Sequence, residues 1–430
     1  MAGVAGFCSW IVIVLAFGVG WIGELGAAIG IDGVARDPVA YAALGSVIAC
    51  GVPMILWSVL VDRVQRNQTT GIDWSAPNRG DPALRDVSIT KLCGLWATWA
   101  LIAGVYCIAR WYWRGNYLFA MELFASLIVP LVLVSIPYVL WLDKRLIEPR
   151  DGAWHLGAWL TGQGGVDHEA IYGHMRSWVV KGFFLAFMVS IVPSGFRGLV
   201  SANFALIQTD PVALAIWLIN LMFVVDVAFA TVGYALTLRP LDSHIRSAMP
   251  YAAGWTAALI CYPPFALMYA GGPLDYHPAS AEWNSWLSSY PALMTIMGFI
   301  LVILTGIYAW ATIAFGLRFS NLTHRGIITH GPYAWTKHPA YLSKNAFWWL
   351  AGLPFLTTTG STVDAIRNTA ILAIVSGVYY WRGKTEERHL SEDPAYRDYA
   401  TWMAEHGVIT RLLSRRQRRA DSAVEPQAAE

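Results

Sequence analysis

The chain carries, between two apolar segments, the run Gly331-Pro332-Tyr333-Ala334-Trp335-Thr336-Lys337-His338-Pro339-Ala340-Tyr341. Its first two residues, Gly331-Pro332, are a turn signal. Pro339 suits the first turn of a helix, because the N–H group that proline lacks would have no helical partner there. The run therefore predicts a short bend at the entrance to a helix, with aromatic, lysine and histidine side chains held on the bend.

The rest of the chain is unusually apolar. Of its 430 residues, 56% are hydrophobic and 13% are charged, whereas about 25% of the residues of soluble domains are charged. A helix needs about 20 apolar residues to cross a bilayer core of about 30 Å. Ten segments qualify, namely 7–30, 39–61, 89–110, 117–142, 178–200, 212–237, 251–271, 291–317, 340–358 and 363–381. The sequence predicts an all-α, polytopic transmembrane helical bundle of about ten spans.

Lysine and arginine are distributed unevenly between alternate loops. The loops after the second, fourth, sixth and eighth segments, together with the C-terminal tail, hold nearly all of them. Because cytoplasmic loops are enriched in these residues, both termini and the run at 331–341 are predicted to be cytoplasmic. We therefore expect an integral, multi-pass membrane protein whose active site faces the cytoplasm.

Two further features of composition limit the choice of ligands. The five cysteines are scattered along apolar segments without a CxxC pair, so buried single thiols are expected and no metal site is predicted. The formal net charge is +2, and no nucleic-acid partner is predicted.

A charged group follows the run, one apolar hairpin later. It consists of Arg382 and the pair Glu386-Glu387. Arg382 and Glu386 are four residues apart, so on a helix they share a face and can pair. Such a pair of glutamates is usually a solvated helix face, and an aromatic run beside a membrane is often an interfacial belt. The order and separation of the two features favour a shared site.

Together, the His-Pro-x-Tyr run and the Arg-x-x-x-Glu-Glu group resemble the isoprenylcysteine carboxyl methyltransferase and phospholipid methyltransferase superfamily over residues 318–413. Those proteins are integral-membrane enzymes in which the loop and the acidic pair wrap S-adenosylmethionine, while the substrate enters from the lipid. The resemblance implies an S-adenosylmethionine-dependent methyltransferase for a lipophilic or lipidated substrate, with membrane lipids around it. The acceptor group, a carboxylate, amine or hydroxyl, and the oligomeric state stay open.

The resemblance and the chemistry of the side chains give the predicted site. The cofactor-binding candidates are Gly331, Tyr333, Lys337, His338, Pro339, Tyr341, Glu386 and Glu387, and the catalytic candidates are Arg382, His338 and Glu387. Aromatic faces suit a sulfonium cation and an adenine ring. A carboxylate acceptor needs only a cation such as Arg382 or Arg325, whereas an amine or hydroxyl needs a proton acceptor such as His338 or Glu387.

The chain departs from the family pattern in two places. Lys337 stands where arginine is usual, which loses the planar fork of a guanidinium. Leu342-Ser343-Lys344 replaces a smaller, glycine-containing continuation. Three domains are predicted, namely an N-terminal bundle at 1–290 of unknown role with possible substrate access, a methyltransferase-like core at 291–413, and a disordered basic and polar tail at 414–430.

Two other functions compete with this prediction. Membrane sterol reductases that use NADPH share the span count and a histidine-containing loop, but continue into Asn-Tyr-x-Gly-Asp, which is absent here. A non-enzymatic lipid-binding or transport protein would explain the ionisable residues inside spans, which are costly in lipid. These are Glu24, Glu122, Lys181 and Asp226, of which Lys181 and Asp226 lie in neighbouring spans and are candidates for pairing.

Overall fold

The computed structural model describes residues 1–28, 39–75, 82–408 and 411. The predicted tail at 414–430 lies outside these residues. The chain divides into two compact units, Met1–Phe265 with Phe315–Gly326, and Ala266–Ala314 with Ile327–Glu430. The domain boundaries suggested by the sequence stay a prediction.

The first unit is a helical bundle with a minimal β-pair. Its helices are α1 (Ala2–Gly18), α2 (Trp21–Ala28), α3 (Val39–Leu56), α4 (Pro82–Ile108), α5 (Tyr117–Asp143), α6 (Gly152–Leu160), α7 (His168–Val200), α8 (Phe204–Thr209), α9 (Pro211–Ala235) and α10 (Ala252–Leu259). Strands β1 (Ser247–Ala248) and β2 (Thr323–His324) pair antiparallel. Apart from this pair, the all-α fold class is confirmed for the described residues.

Aspartates cap the N-termini of three helices in the first unit. The side chains of Asp151, Asp167 and Asp210 accept hydrogen bonds from backbone N–H groups in the first turns of α6, α7 and α9. These N–H groups have no partner inside the helix, so the aspartates satisfy them. The core between α7 and α9 centres on Phe184 and Tyr234, whose rings stack at 5.6 Å.

Helices α4 and α6 approach each other closely at two glycines. A Cβ atom on Gly94 would lie 2.0 Å from the carbonyl oxygen of Ala153, and one on Gly157 would lie 1.9 Å from that of Thr90. Only glycine permits this backbone contact. The contact brings the buried Lys91 of α4 close to Asp143 and Asp151, at the end of α5 and the start of α6.

The second unit contains α11 (Trp283–Trp286), α12 (Pro291–Phe315, whose last residue is assigned to the first unit), α13 (Pro339–Gly352), α14 (Thr362–Leu390) and α15 (Pro394–His406). The loop between α13 and α14 is anchored to the segment before α11. The Ser280 hydroxyl donates to the carbonyl oxygens of Gly352 and Leu356, and the Asn368 amide donates to that of Pro278. These bonds fix the hairpin that α13 and α14 form.

Six helices of the described chain are long and apolar enough to cross a membrane. They are Tyr41–Val61, Pro82–Ile108, Tyr117–Asp143, His168–Val200, Pro211–Ala235 and Pro291–Arg318. They coincide with six of the ten predicted segments, which supports a multi-pass membrane protein. The total of ten spans and the cytoplasmic termini stay predictions.

The predicted helix over 251–271 is wrong. Helix α10 ends at Leu259, and bends and turns follow it. Pro263 and Pro264 supply no N–H group to a helix, and Gly271 has a left-handed backbone with φ +78°. The segment at 340–358 also differs, because α13 ends after 14 residues at Gly352.

The structure departs from two expectations, one about the pairing of Lys181 with Asp226 and one about the burial of the cysteines. Lys181 donates to the Thr237 hydroxyl at 2.7 Å, whereas Asp226 lies nine residues before the end of α9, or about 14 Å along the helix axis. The pairing of Lys181 with Asp226 is therefore not formed. Cys50 is buried as expected, but Cys8 and Cys107 are exposed.

Single cysteines at Ser75 and Gly164, in a cysteine-free background, are expected to resist impermeant thiol reagents in intact cells. Both positions are exposed in the structure, so only their predicted cytoplasmic placement would protect them. Ser201, also exposed, follows the fifth predicted segment and serves as the control that should be labelled. Ready labelling at Ser75 or Gly164 in sealed cells would contradict the predicted orientation.

Candidate functional site

The start of α13 and the end of α14 lie side by side in the second unit. Gly331–Ala334 forms a 3₁₀ turn, His338 precedes α13, and Pro339 occupies its first turn. The bend and the helix start predicted from the sequence are confirmed. Because α13 and α14 are antiparallel, the run at 331–341 meets the acidic pair, 45 to 49 residues later in the chain.

Glu387 binds three basic side chains at once. Its Oε1 atom lies 2.9 Å from both Lys337 Nζ and His338 Nε2, and its Oε2 atom lies 3.1 Å from Lys384 Nζ. Glu387 therefore joins the bend to α14, and its two oxygens share three donors.

These contacts determine the charge of Glu387. Burial by itself would raise the pKa of Glu387, but the hydrogen bonds from His338, Lys337 and Lys384 outweigh it and hold the pKa below its usual value. The lowered pKa stabilises the folded protein, and this contribution is complete above about pH 4.3, the usual pKa of a glutamate. It is lost only as the pH falls toward the lowered pKa of the folded protein. At neutral pH Glu387 is thus a carboxylate and a poor base.

Glu386 and His338 are both fixed against Tyr341. The Tyr341 hydroxyl donates to Glu386 Oε1. The His338 and Tyr341 rings stack with centroids 5.6 Å apart and planes 6° apart. A Cβ atom on Gly383 would lie 3.3 Å from His338 Nε2, so the missing side chain leaves room for the imidazole against α14.

Arg382 lies on an aromatic surface. Its guanidinium carbon is 5.1 Å from the Tyr341 ring centroid and 5.2 Å from that of Tyr379. The side chain is nearly fully buried. Lys344 shares the same surface, 5.1 Å from the Tyr308 ring and 5.3 Å from the Trp348 ring. These rings therefore stabilise positive charge.

The bend before α13 is held by α12 and α15. Gly331 has φ +62°, and its Cα faces Trp310 so closely that a Cβ would lie 3.2 Å from the indole nitrogen. The Tyr399 hydroxyl donates to the carbonyl oxygen of Tyr333 at 2.7 Å. Tyr333 is thus tied to the site through its backbone.

A cavity of about 270 Å³ lies beside the bend. It is lined by Trp335, Thr336, Lys337, Ala400, Met403, Ala404 and Gly407. Of the predicted site residues, the lining contains Lys337. The volume is just below the usual range of about 300–1,000 Å³ for ligand pockets, so it suits part of a cofactor.

Arg325 belongs to the first unit and has a structural role. Its guanidinium donates to the carbonyl oxygens of Gly233, Ser243 and Phe319, and the residue is buried. The proposal that Arg325 positions a substrate carboxylate is therefore wrong, because three carbonyl groups already occupy its donors.

The structure adds residues that the sequence did not indicate as part of the site. Tyr379, Gly383 and Lys384 lie on α14 within one or two turns of Glu386 and Glu387. Tyr379 is three residues before Arg382 and Gly383 is four before Glu387, so helical spacing contains a signal for both. Tyr308 and Trp348 carry no such signal, since tertiary packing alone brings them to Lys344.

Comparison with known proteins gives one match. Residues 273–402 match the model of a family described as "Protein of unknown function (DUF1295)". No curated protein and no solved structure matches the chain significantly. The C-terminal region of this membrane-embedded helical protein therefore carries a DUF1295 domain, within which every predicted site residue from Gly331 to Glu387 lies.

Proposed function

We propose that the chain is an integral-membrane, S-adenosylmethionine-dependent methyltransferase that acts on a lipophilic substrate at the cytoplasmic face. The observation that carries this proposal is the contact of Glu387 with Lys337 and His338, and of Glu386 with Tyr341. These contacts gather an acidic pair, basic side chains and aromatic faces in one place. S-adenosylmethionine carries an ammonium group, a carboxylate, a sulfonium and an aromatic base. Binding all of these groups needs this combination of side chains.

The side chains fit the parts of the cofactor. The rings of Tyr341 and Tyr379 hold the Arg382 cation, so the aromatic side chains around this site suit positive charge, as a sulfonium requires. The carboxylates of Glu386 and Glu387 suit an ammonium group or ribose hydroxyls, while Lys337 suits a carboxylate. The cavity beside Trp335 and Lys337 supplies apolar walls for part of the molecule.

Bound S-adenosylmethionine supplies an activated methyl group, and the protein has to hold the acceptor in line with it and exclude water. For an amine or hydroxyl acceptor, His338 is the candidate base, because the lowered pKa of Glu387 makes its carboxylate a poor proton acceptor. If His338 Nε2 carries the hydrogen donated to Glu387, Nδ1 is free to accept a proton. For a carboxylate acceptor, Arg382 supplies the positioning cation.

A lipophilic acceptor can reach the site along α14. Tyr380 is 69% exposed and Ile374 is 53% exposed, on the helix that carries Arg382, Glu386 and Glu387. The predicted span 363–381 covers this part of α14, and side chains exposed there suit contact with lipid. Mass spectrometry of membrane lipids that gain a radiolabelled methyl group would identify the acceptor.

Stabilisation by cofactors tests the proposal against its competitors. Membrane sterol reductases that use NADPH are the competing class of enzyme, so NADPH is the appropriate comparison. A ligand that binds only the folded state adds about 2.7 kcal/mol at a concentration of 100 times its Kd. S-adenosylhomocysteine should therefore raise the melting temperature of the purified protein, and NADPH should not.

The opposite result would favour a reductase. Stabilisation by neither compound would contradict both enzymes and favour a lipid-binding or transport protein, for which uptake into vesicles should depend on a proton gradient. The Glu387→Gln variant is the control, since it should lose the effect of S-adenosylhomocysteine.

A further inference from the structure

A second cavity, of about 410 Å³, lies within the first unit. Its walls come from Asp151–Gly152, the first turns of α7, and the segment 237–248 after α9. Helices α7 and α9 are both long and apolar enough to cross a membrane. The cavity therefore lies where one candidate span begins and another ends.

The lining is strongly basic. Arg176, Lys181, Arg239 and Arg246 all contribute to it. The lining also contains Asp151, but its carboxylate is already engaged. One oxygen caps α6 through the N–H groups of Ala153 and Trp154, and the other lies 3.2 Å from Lys91 Nζ. Arg246 also pairs with Asp242, which lies outside the lining, at 3.4 Å. The other three basic side chains leave the cavity with a net positive charge.

Several donors of this lining lack acceptors. Among the described residues, the Nε atoms of Arg176 and Arg246 are buried without a hydrogen-bond partner. An unsatisfied buried donor costs about 1–3 kcal/mol, and more when it is charged. Lys181 Nζ uses one of its three hydrogens on Thr237 Oγ1 and lies 4.6 Å above the Trp178 ring. Two guanidinium groups and one ammonium group thus line one open cavity.

We propose that this cavity binds an anionic phosphate group. A guanidinium matches phosphate with parallel N–H donors, and several of them together suit an anion with three or more acceptor oxygens. The cavity is larger than one phosphate, so part of the attached molecule fits as well. The phosphate can belong to a lipid headgroup or to a water-soluble phosphate compound. This site lies in the first unit and does not depend on the proposed methyltransferase activity.

Binding to the full-length, delipidated protein in an uncharged detergent distinguishes these sources. Inorganic phosphate is titrated by calorimetry at constant ionic strength, and phosphatidylglycerol is offered in detergent micelles with retention measured by native mass spectrometry. Diacylglycerol, which lacks the phosphate, is the lipid control. Binding of phosphatidylglycerol alone supports a lipid headgroup, and binding of inorganic phosphate alone supports a soluble compound. Binding of neither overturns the proposal.

Variants locate the binding in the cavity. Arg176→Gln and Arg246→Gln should each weaken binding at least about tenfold, as expected for the loss of a charge-assisted contact. Arg66→Gln removes the same charge from an exposed position outside the lining and should bind like the wild type. Equal weakening in all three variants, or in none, would overturn the assignment. If a glutamine variant does not fold, Arg176→Lys replaces it. Lysine keeps the positive charge but lacks the parallel N–H donors of the guanidinium.

Discussion

Replacement of Lys91 by methionine is expected to lower the free energy of unfolding by about 3–5 kcal/mol, the cost of leaving a buried charge without its partner. Lys91 Nζ lies 2.6 Å from Asp143 Oδ1, and the two side chains are 6% and 0% exposed. Asp143 also accepts a hydrogen bond from Ser88 at 2.9 Å. Methionine fills much of the volume of lysine, so the decrease in the free energy of unfolding measures the effect of removing the charge.

Two further variants make this result specific. Lys144→Met removes a neighbouring charge from a partly exposed position and should change the stability little. The double variant Lys91→Met/Asp143→Leu removes both charges and should recover much of the lost stability, since apolar replacements of a buried pair are often neutral. Reversible unfolding in mixed detergent measures all three. A double variant no more stable than Lys91→Met would contradict the role assigned to the pair.

Glu387→Gln and His338→Ala are each expected to weaken binding of S-adenosylmethionine at least about tenfold, which corresponds to about 1.4 kcal/mol. Glutamine keeps the shape of Glu387 but cannot hold Lys337, His338 and Lys384 as an anion does. Alanine removes the imidazole that connects the bend with Glu387 and stacks on Tyr341. Titration calorimetry on the purified variants measures the change.

The control for this experiment is Glu405→Gln. Glu405 lies on α15 with its side chain 68% exposed, so its loss should leave affinity unchanged. Melting temperatures of the variants show whether the fold persists. Unchanged affinity in both Glu387→Gln and His338→Ala would show that the cofactor site lies elsewhere.

The local order of the residues determined a large part of the candidate site. Gly331-Pro332 and Pro339 predicted the turn and the helix start that the structure shows. The spacing of Arg382, Glu386 and Glu387 placed them on one helix, which is confirmed by α14. The proximity of the bend to the acidic pair was also predicted, because two helices joined by a short connection run antiparallel. Each of these features depends on backbone preferences or on short-range connectivity.

The apolar pattern determined the membrane class but overestimated the length of two helices. Continuous hydropathy predicted a helix over 251–271, where proline and glycine end α10 early. A hydropathy average sums side-chain preference, whereas the helix depends on backbone N–H groups that Pro263 and Pro264 lack. The same average gave no sign that α13 would end at Gly352.

The sequence by itself determined a helical membrane protein with a basic, aromatic bend and an acidic pair on α14. Only the tertiary structure decided the partners of the charged side chains. It fixed Glu387 among three basic groups, buried Arg325 among carbonyl oxygens, and gathered arginines from α7 and from the segment after α9 around one cavity. The physical reason is that a buried charge takes the partners that packing brings within a few ångströms, and residues far apart in sequence supply most of them.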